Sequence, residues 1–240
     1  MKALRRAGFG LWCWAIFVPV VAAVLLLALP APGVTLRRRI ARAGARTFFV
    51  LAGIRLRVTG LERLPAGASV VVANHTSYVD GLIMQAALPP SFAFVIKKEM
   101  VRVPLASLLL RRLGSHFVER YNRHQGAADA RRLLRSAAGG QSLAFFPEGT
   151  FVPHVGLGRF HAGAFVAAAK AGMPLVPVAI RGAREFLPPA AVLPRRALIE
   201  VELLAPLKPA GRDEPDGAGR LRRQARAAIL AATGEPDLEA

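Results

Sequence analysis

The chain has 240 residues, 33 Lys plus Arg against 15 Asp plus Glu, a formal net charge of +18 and a mean hydropathy of +0.37. The charge points to anionic partners such as a lipid surface or phosphorylated substrates, and the high hydropathy argues against a nucleic-acid binder. The single cysteine, Cys13, excludes an intrachain disulfide and a cysteine-built zinc site.

Residues 7–36 carry no charge, and Gly8 to Leu29 is almost continuously apolar. At roughly 1.5 Å per helical residue it can cross a hydrocarbon core of about 30 Å. A secretory signal also begins with basic residues such as Lys2, Arg5 and Arg6, but this apolar run is longer than a usual signal core and no A-x-A site closes it. Pro19 and the Pro30-Ala31-Pro32-Gly33 turn fit either a single span or a kinked, re-entrant hairpin. The hairpin's second arm, Thr35 to Ala52, has Arg37, Arg38, Arg39, Arg42 and Arg46 towards one end and Phe48-Phe49 at the other, a gradient that suits an interfacial helix. Only the hairpin keeps both basic clusters on one side, beside anionic headgroups. Residues 1–52 are therefore read as a membrane anchor and residues 53–240 as one domain, since no Ser-, Gly- or Pro-rich linker interrupts them.

Beyond the anchor, apolar runs predict strands over Ile54–Val58, Ser69–Ala73, Phe92–Ile96, His116–Val118, Leu143–Phe146, Leu175–Ile180 and Leu198–Leu203. Helical patterns fall over Gly81–Ala87, Leu105–Arg112, Ala127–Ala138, Ala162–Ala171 and Gly217–Ala232. This alternation predicts an α/β fold, a largely parallel sheet flanked by helices.

Two predicted strands end in unusual polar turns. Val70-Val71-Val72-Ala73 leads into Asn74-His75-Thr76-Ser77, with Asp80 five residues after the histidine. A histidine at a strand's exit is well placed for acid–base chemistry, because ligands of open α/β sheets bind where strands end. The same residues also fit a plain capping box, S-x-x-D over Ser77 to Asp80. Five residues along a straight helix would leave the two side chains some 140° apart. If His75 and Asp80 act as a pair, Thr76 to Val79 must therefore be a turn, with the helix starting near Val79. The second strand, Ser142 to Phe146, delivers Pro147-Glu148-Gly149-Thr150. There is no HExxH, G-x-S-x-G, Walker A or G-x-G-x-x-G pattern, so zinc-protease, elbow-type serine hydrolase, P-loop and dinucleotide chemistries are not indicated.

Asn74-His75 with Asp80 resembles the NHxxxxD motif of the glycerolipid acyltransferases, the family typified by 1-acylglycerol-3-phosphate acyltransferase. Gly114-Ser115-His116-Phe117-Val118-Glu119-Arg120 is similar to that family's GxxFxxR block, Phe146 to Thr150 to its FPEGT block, and Met173 to Ile180 to its proline-containing strand. The four blocks occur in family order between about residues 54 and 182, which is far more specific than any one short motif. The resemblance implies acyl transfer from acyl-CoA or acyl carrier protein to the free hydroxyl of a lysophospholipid acceptor, without a bound cofactor or metal. It also implies a catalytic domain on the cytoplasmic side of the membrane, against an anionic lipid surface. His75 would be the general base and Asp80 its orienting carboxylate. Asn74, Lys97, Gly114, Phe117, Arg120, Glu148, Gly149 and Thr150 would meet substrate, with Arg120 the planar fork for phosphate and Glu148 free to bond a hydroxyl or hold an arginine.

Two positions depart from the family pattern. Phe151 stands where arginine usually follows FPEGT, and His161 where a lysine often follows phenylalanine. Both remove a fixed positive charge, which leaves open another lysophospholipid, or a lyso-aminolipid, as acceptor. A non-catalytic basic membrane adaptor would account for the charge and the anchor, but not for four motif blocks in order.

Overall fold

A computed structural model describes residues 2–119, 123–151, 154–209, 211 and 214–239. Helix α1 (Lys2–Ala28) runs through Pro19, turns at Gly33, whose φ is 72°, and returns as α2 (Val34–Leu51). The two arms pack closely. Phe17 meets Phe48 edge-on at 5.5 Å, and a Cβ on Gly44 would stand 2.2 Å from Val24 Cγ2. Among the described residues one helical stretch, Leu4–Ala28, is long and apolar enough to cross a membrane.

The hairpin is not a detached stalk. Phe9, Cys13, Ile16, Phe48 and Phe49 belong to the same apolar cluster as residues of the sheet. Trp14 donates its indole N–H to Val192 O at 3.0 Å, and Arg196 lies over the Phe9 ring at 4.7 Å.

Among the described residues the remaining chain builds a seven-stranded sheet from β1 (Arg55–Thr59), β2 (Val70–Ala73), β3 (Phe92–Lys97), β4 (His116–Val118), β5 (Ser142–Phe145), β6 (Leu175–Arg181) and β7 (Leu198–Leu203), in the order β1-β7-β6-β2-β5-β3-β4. Helices α3 (Asp80–Ala87), α4 (Pro104–Arg112), α5 (Arg123–Ala138), α6 (Gly163–Ala171), the single turn α7 (Ala183–Phe186) and α8 (Gly217–Thr233) complete the fold. Strand β2 lies between β5 and β6 and is parallel to both. Its four residues are all fully buried, as a parallel strand covered on both faces must be. Val71 and Ala73 enter the core shared with α1, α2 and α3. Val70 and Val72 enter the opposite core with residues of α5, α6 and α8. The result is a three-layer α/β sandwich, as the alternation of strand and helix predicted.

The departure is at β6 and β7, which pair antiparallel. Between them the chain makes only the short α7 before β7 begins, and antiparallel neighbours need no long crossover helix. Nothing in the apolar pattern of β7 distinguishes the two directions.

Candidate active site

Because β2 and β5 are parallel neighbours, their polar exits open at the same edge of the sheet. Asn74 locks the first exit. Wholly buried, it donates to Ile180 O at 2.9 Å and accepts from Ile180 N at 2.7 Å, so a side chain replaces one rung of backbone pairing just where β2 leaves β6.

The turn that follows does what the five-residue spacing requires. Asp80 is the first residue of α3, and its Oδ2 accepts from the backbone amides of Thr76 at 2.6 Å and Ser77 at 2.8 Å. The same oxygen lies 2.8 Å from His75 Nδ1. Asp80 thus both braces the turn and meets the imidazole. Its bonds to Thr76 and Ser77 wrap the turn, and the wrapped turn presents the imidazole. Ser77 serves the scaffold, donating its hydroxyl to Leu187 O at 2.7 Å. Asp80 is completely buried, and among the described residues its Oδ1 has no hydrogen-bond partner.

Glu148, at the exit of β5, bridges the two turns. One carboxylate oxygen accepts from His75 N at 2.7 Å and the other from Gly158 N at 2.8 Å. The sequence reading gave Glu148 a hydroxyl or an arginine; the structure gives it two amides. Burial outweighs those bonds and, with a smaller push from Glu235, raises its pKa from 4.5 to about 7. Gly149 makes the turn with φ 79°, a conformation costly for any residue with a Cβ. Thr150 beside it is exposed.

Aromatic rings surround the imidazole. Phe146 stacks on it at 4.5 Å, and Phe151 stands edge-on at 4.9 Å. Tyr78, 70% exposed, meets Phe151 at 4.6 Å. In the sequence Phe146 is notable only as the first residue of the FPEGT-like block and Phe151 only as a lost charge, and neither position, a strand end and a turn, shows that its ring faces the imidazole.

The remaining candidates lie at varying distance from this centre. Lys97 ends β3, in register with Val118 of β4. Lys98 pairs with Glu119 at 3.6 Å, and Phe117 lies under Arg111 at 5.3 Å. Gly114, at φ 68°, follows α4, and a Cβ there would stand 3.1 Å from Arg38 Nη2 and 3.3 Å from Val34. Its visible function is close approach to α2. Arg120 lies outside the described residues. His161 donates its backbone N–H to Pro147 O at 2.8 Å, which brings its segment against the Glu148 turn.

The model of the Acyltransferase family matches residues 55–181. A chloroplastic 1-acyl-sn-glycerol-3-phosphate acyltransferase of Arabidopsis thaliana is 31% identical over 136 residues, 56% of this chain and 38% of that protein. The chain thus spans well under two thirds of that relative's length. A lyso-ornithine lipid O-acyltransferase of Pseudomonas aeruginosa is 29% identical over 251 residues, covering 96% of this chain and 91% of the relative. The crystal structure of the 1-acyl-sn-glycerophosphate acyltransferase of Thermotoga maritima superposes with a TM-score of 0.79 over 97% of this chain and 96% of that one, at 21% identity. It shares the fold.

Proposed function

Since the chain belongs to the Acyltransferase family, we propose that it transfers an acyl group from acyl-CoA or acyl carrier protein to the free hydroxyl of 1-acyl-sn-glycerol-3-phosphate, giving phosphatidate. The observation that carries this reading is the 2.8 Å contact between His75 Nδ1 and Asp80 Oδ2. A buried carboxylate there holds a proton on Nδ1 and leaves Nε2 as the basic nitrogen. Nε2 takes the acceptor's hydroxyl proton as its oxygen attacks the thioester carbonyl, and the tetrahedral intermediate collapses by expelling the thiolate, which recovers that proton. A general base of this kind contributes roughly 10²–10⁴-fold. Lys97, Gly114, Phe117, Arg120, Glu148, Gly149 and Thr150 are proposed around the acceptor and donor, with Glu148 acting through the His75 backbone; Asn74, expected to meet substrate, is instead buried with both amide ends on Ile180 and acts by holding the strand exit.

The α1–α2 hairpin supports membrane docking without a crossing. Trp14 and Phe9 are held against residues 192–196 of the sheet domain, so that half of α1 lies along the protein. Leu26 and Leu27, at the far end, are exposed. Residues 1–52 would then anchor the domain of residues 53–240 to the cytoplasmic face, with the arginine-rich α2 beside anionic headgroups.

A second acceptor class is favoured by one observation. Phe151 places a ring against His75 where an arginine would offer phosphate a cation, and the relative matching nearly end to end is named for a lyso-ornithine lipid. An acceptor without a phosphate needs no cation at that position and suits an aromatic wall. Assaying the purified protein against 1-acyl-sn-glycerol-3-phosphate and a lyso-aminolipid, each with acyl-CoA and with acyl carrier protein, separates the readings. Phosphatidate formation above all other products supports the first. Exclusive acylation of the aminolipid would replace it, and transfer to neither with any donor would refute both.

A further inference from the structure

The last residues of the chain carry a contact that neither the motif blocks nor the family match reaches. After α8 ends at Thr233, Gly234 to Glu239 runs back along residues 156–158, just beyond the Glu148 turn. Three successive backbone N–H groups divide their partners there. Gly156 turns its N–H towards the Glu235 carboxylate, Leu157 donates to Pro236 O at 2.9 Å, and Gly158 donates to Glu148 Oε2 at 2.8 Å. Leu238 N closes the bridge on Leu157 O at 3.2 Å.

The clasp is fastened from α8. Arg226 grips Asp237 with two bonds of 2.8 and 2.6 Å, donates to Leu157 O at 3.0 Å and lies over the Phe160 ring at 5.8 Å. A bidentate pair of this kind fixes orientation as well as contact. Gly156, at φ 139°, has no room for a side chain, because a Cβ would lie 2.6 Å from Leu238.

We propose that Gly234–Glu239 is a working part of the catalytic centre, with Glu235 and Arg226 as positioning residues. Docked on residues 156–158, the segment holds Gly158 N–H on Glu148, and Glu148 in turn holds the backbone of His75 at 2.7 Å. Every link from Arg226 to the imidazole is a named contact, and removing the tail leaves the amide of Leu157 without its partner. Glu235 has a second effect. It is half-buried, its Oε2 has no hydrogen-bond partner among the described residues, and the charges that act on it are Arg184, Glu185 and Asp80. It acts in turn on Glu148, so the tail brings a negative charge to bear on that carboxylate.

The inference rests on the acyl-transfer reading of His75, and the test keeps the two apart. The full chain, the chain ended after Thr233, and Glu235→Gln are purified in detergent. Each is assayed for kcat and KM against pH with the acceptor and donor the wild type uses, and amide hydrogen exchange is followed over residues 74–80. Small misplacements of a catalytic group can cost on the order of 10²-fold. The shortened chain is therefore expected to lose roughly 10- to 100-fold in kcat with acceptor KM little changed, and to exchange faster over residues 74–80. Glu235→Gln keeps an oxygen for Gly156 but removes the charge, so the acid limb of kcat should move to lower pH. Unchanged exchange over residues 74–80 in the shortened chain overturns the proposal, as does an acid limb that stays in place in Glu235→Gln. Should the shortened chain not fold, Glu235→Gln decides. If the wild type transfers no acyl group, the functional reading fails, and the exchange arm alone decides the role of the tail.

Discussion

At the scale of single residues, Asp80 is the most demanding position, because one oxygen serves two amides and an imidazole. Asparagine can cap a helix nearly as well as aspartate, but it cannot stabilise an imidazolium. Asp80→Asn is therefore expected to keep its melting temperature within a few degrees while losing at least about 10²-fold in kcat; comparable activity in the two proteins would reduce Asp80 to a cap. Glu148 makes a pH prediction whose two signs oppose each other. Its folded pKa of about 7 lies above the ordinary 4.5, so the folded state binds the proton more tightly. Its contribution to stability is present below pH 4.5 and is lost as pH rises through 7, by up to about 3 kcal/mol. The ionised carboxylate, however, is the form with both oxygens free to accept from His75 and Gly158. Activity should therefore fall as pH drops below about 7, while stability rises. Melting temperatures and kcat measured together from pH 5 to 8 check this, and parallel falls in both would contradict it. Phe151 tests the acceptor. Phe151→Arg restores a cation and removes a ring from His75, so the ratio of kcat/KM for a phosphate-bearing acceptor over a lyso-aminolipid should rise by about tenfold or more.

At the scale of elements, legibility followed local physics. Strand β2 was readable because four apolar residues in a row have no other comfortable place than a doubly covered parallel strand, and the helix read over Gly217–Ala232 because its apolar positions recur at helical spacing. The turn between β2 and α3 was also readable once His75 and Asp80 were taken as a pair, since their spacing would hold them apart on a continuous helix. What escaped notice depended on partners distant in sequence. Glu148 meets His75 across 73 positions, and Asn74 meets Ile180 across 106. No local pattern announces such pairs, and the same holds for the antiparallel turn of β7. The anchor hairpin offers a test at this scale. Gly44→Val sets a side chain where a Cβ alone would stand 2.2 Å from Val24, so it should separate α1 from α2, lower the melting temperature and weaken vesicle binding. Unaltered binding and stability would show that the arms do not act as a packed pair.

At the scale of the whole molecule, the architecture brings three dispersed things to one edge of the sheet: the β2 turn with its base, the β5 turn with Glu148, and the C-terminal segment that bonds residues 156–158. The motif-bearing part of this assembly was visible in the sequence as two of the four ordered blocks; the aromatic enclosure and the tail were not, because rings and backbone amides carry no spacing signature. The central claim is that His75 removes the acceptor's proton, and it is tested most directly by the initial rate of acyl transfer in wild type and His75→Ala, both folded and bound to anionic vesicles. The account predicts a loss of at least about 10²-fold in kcat with vesicle binding unchanged. A folded His75→Ala protein that turns over at close to the wild-type rate would contradict it.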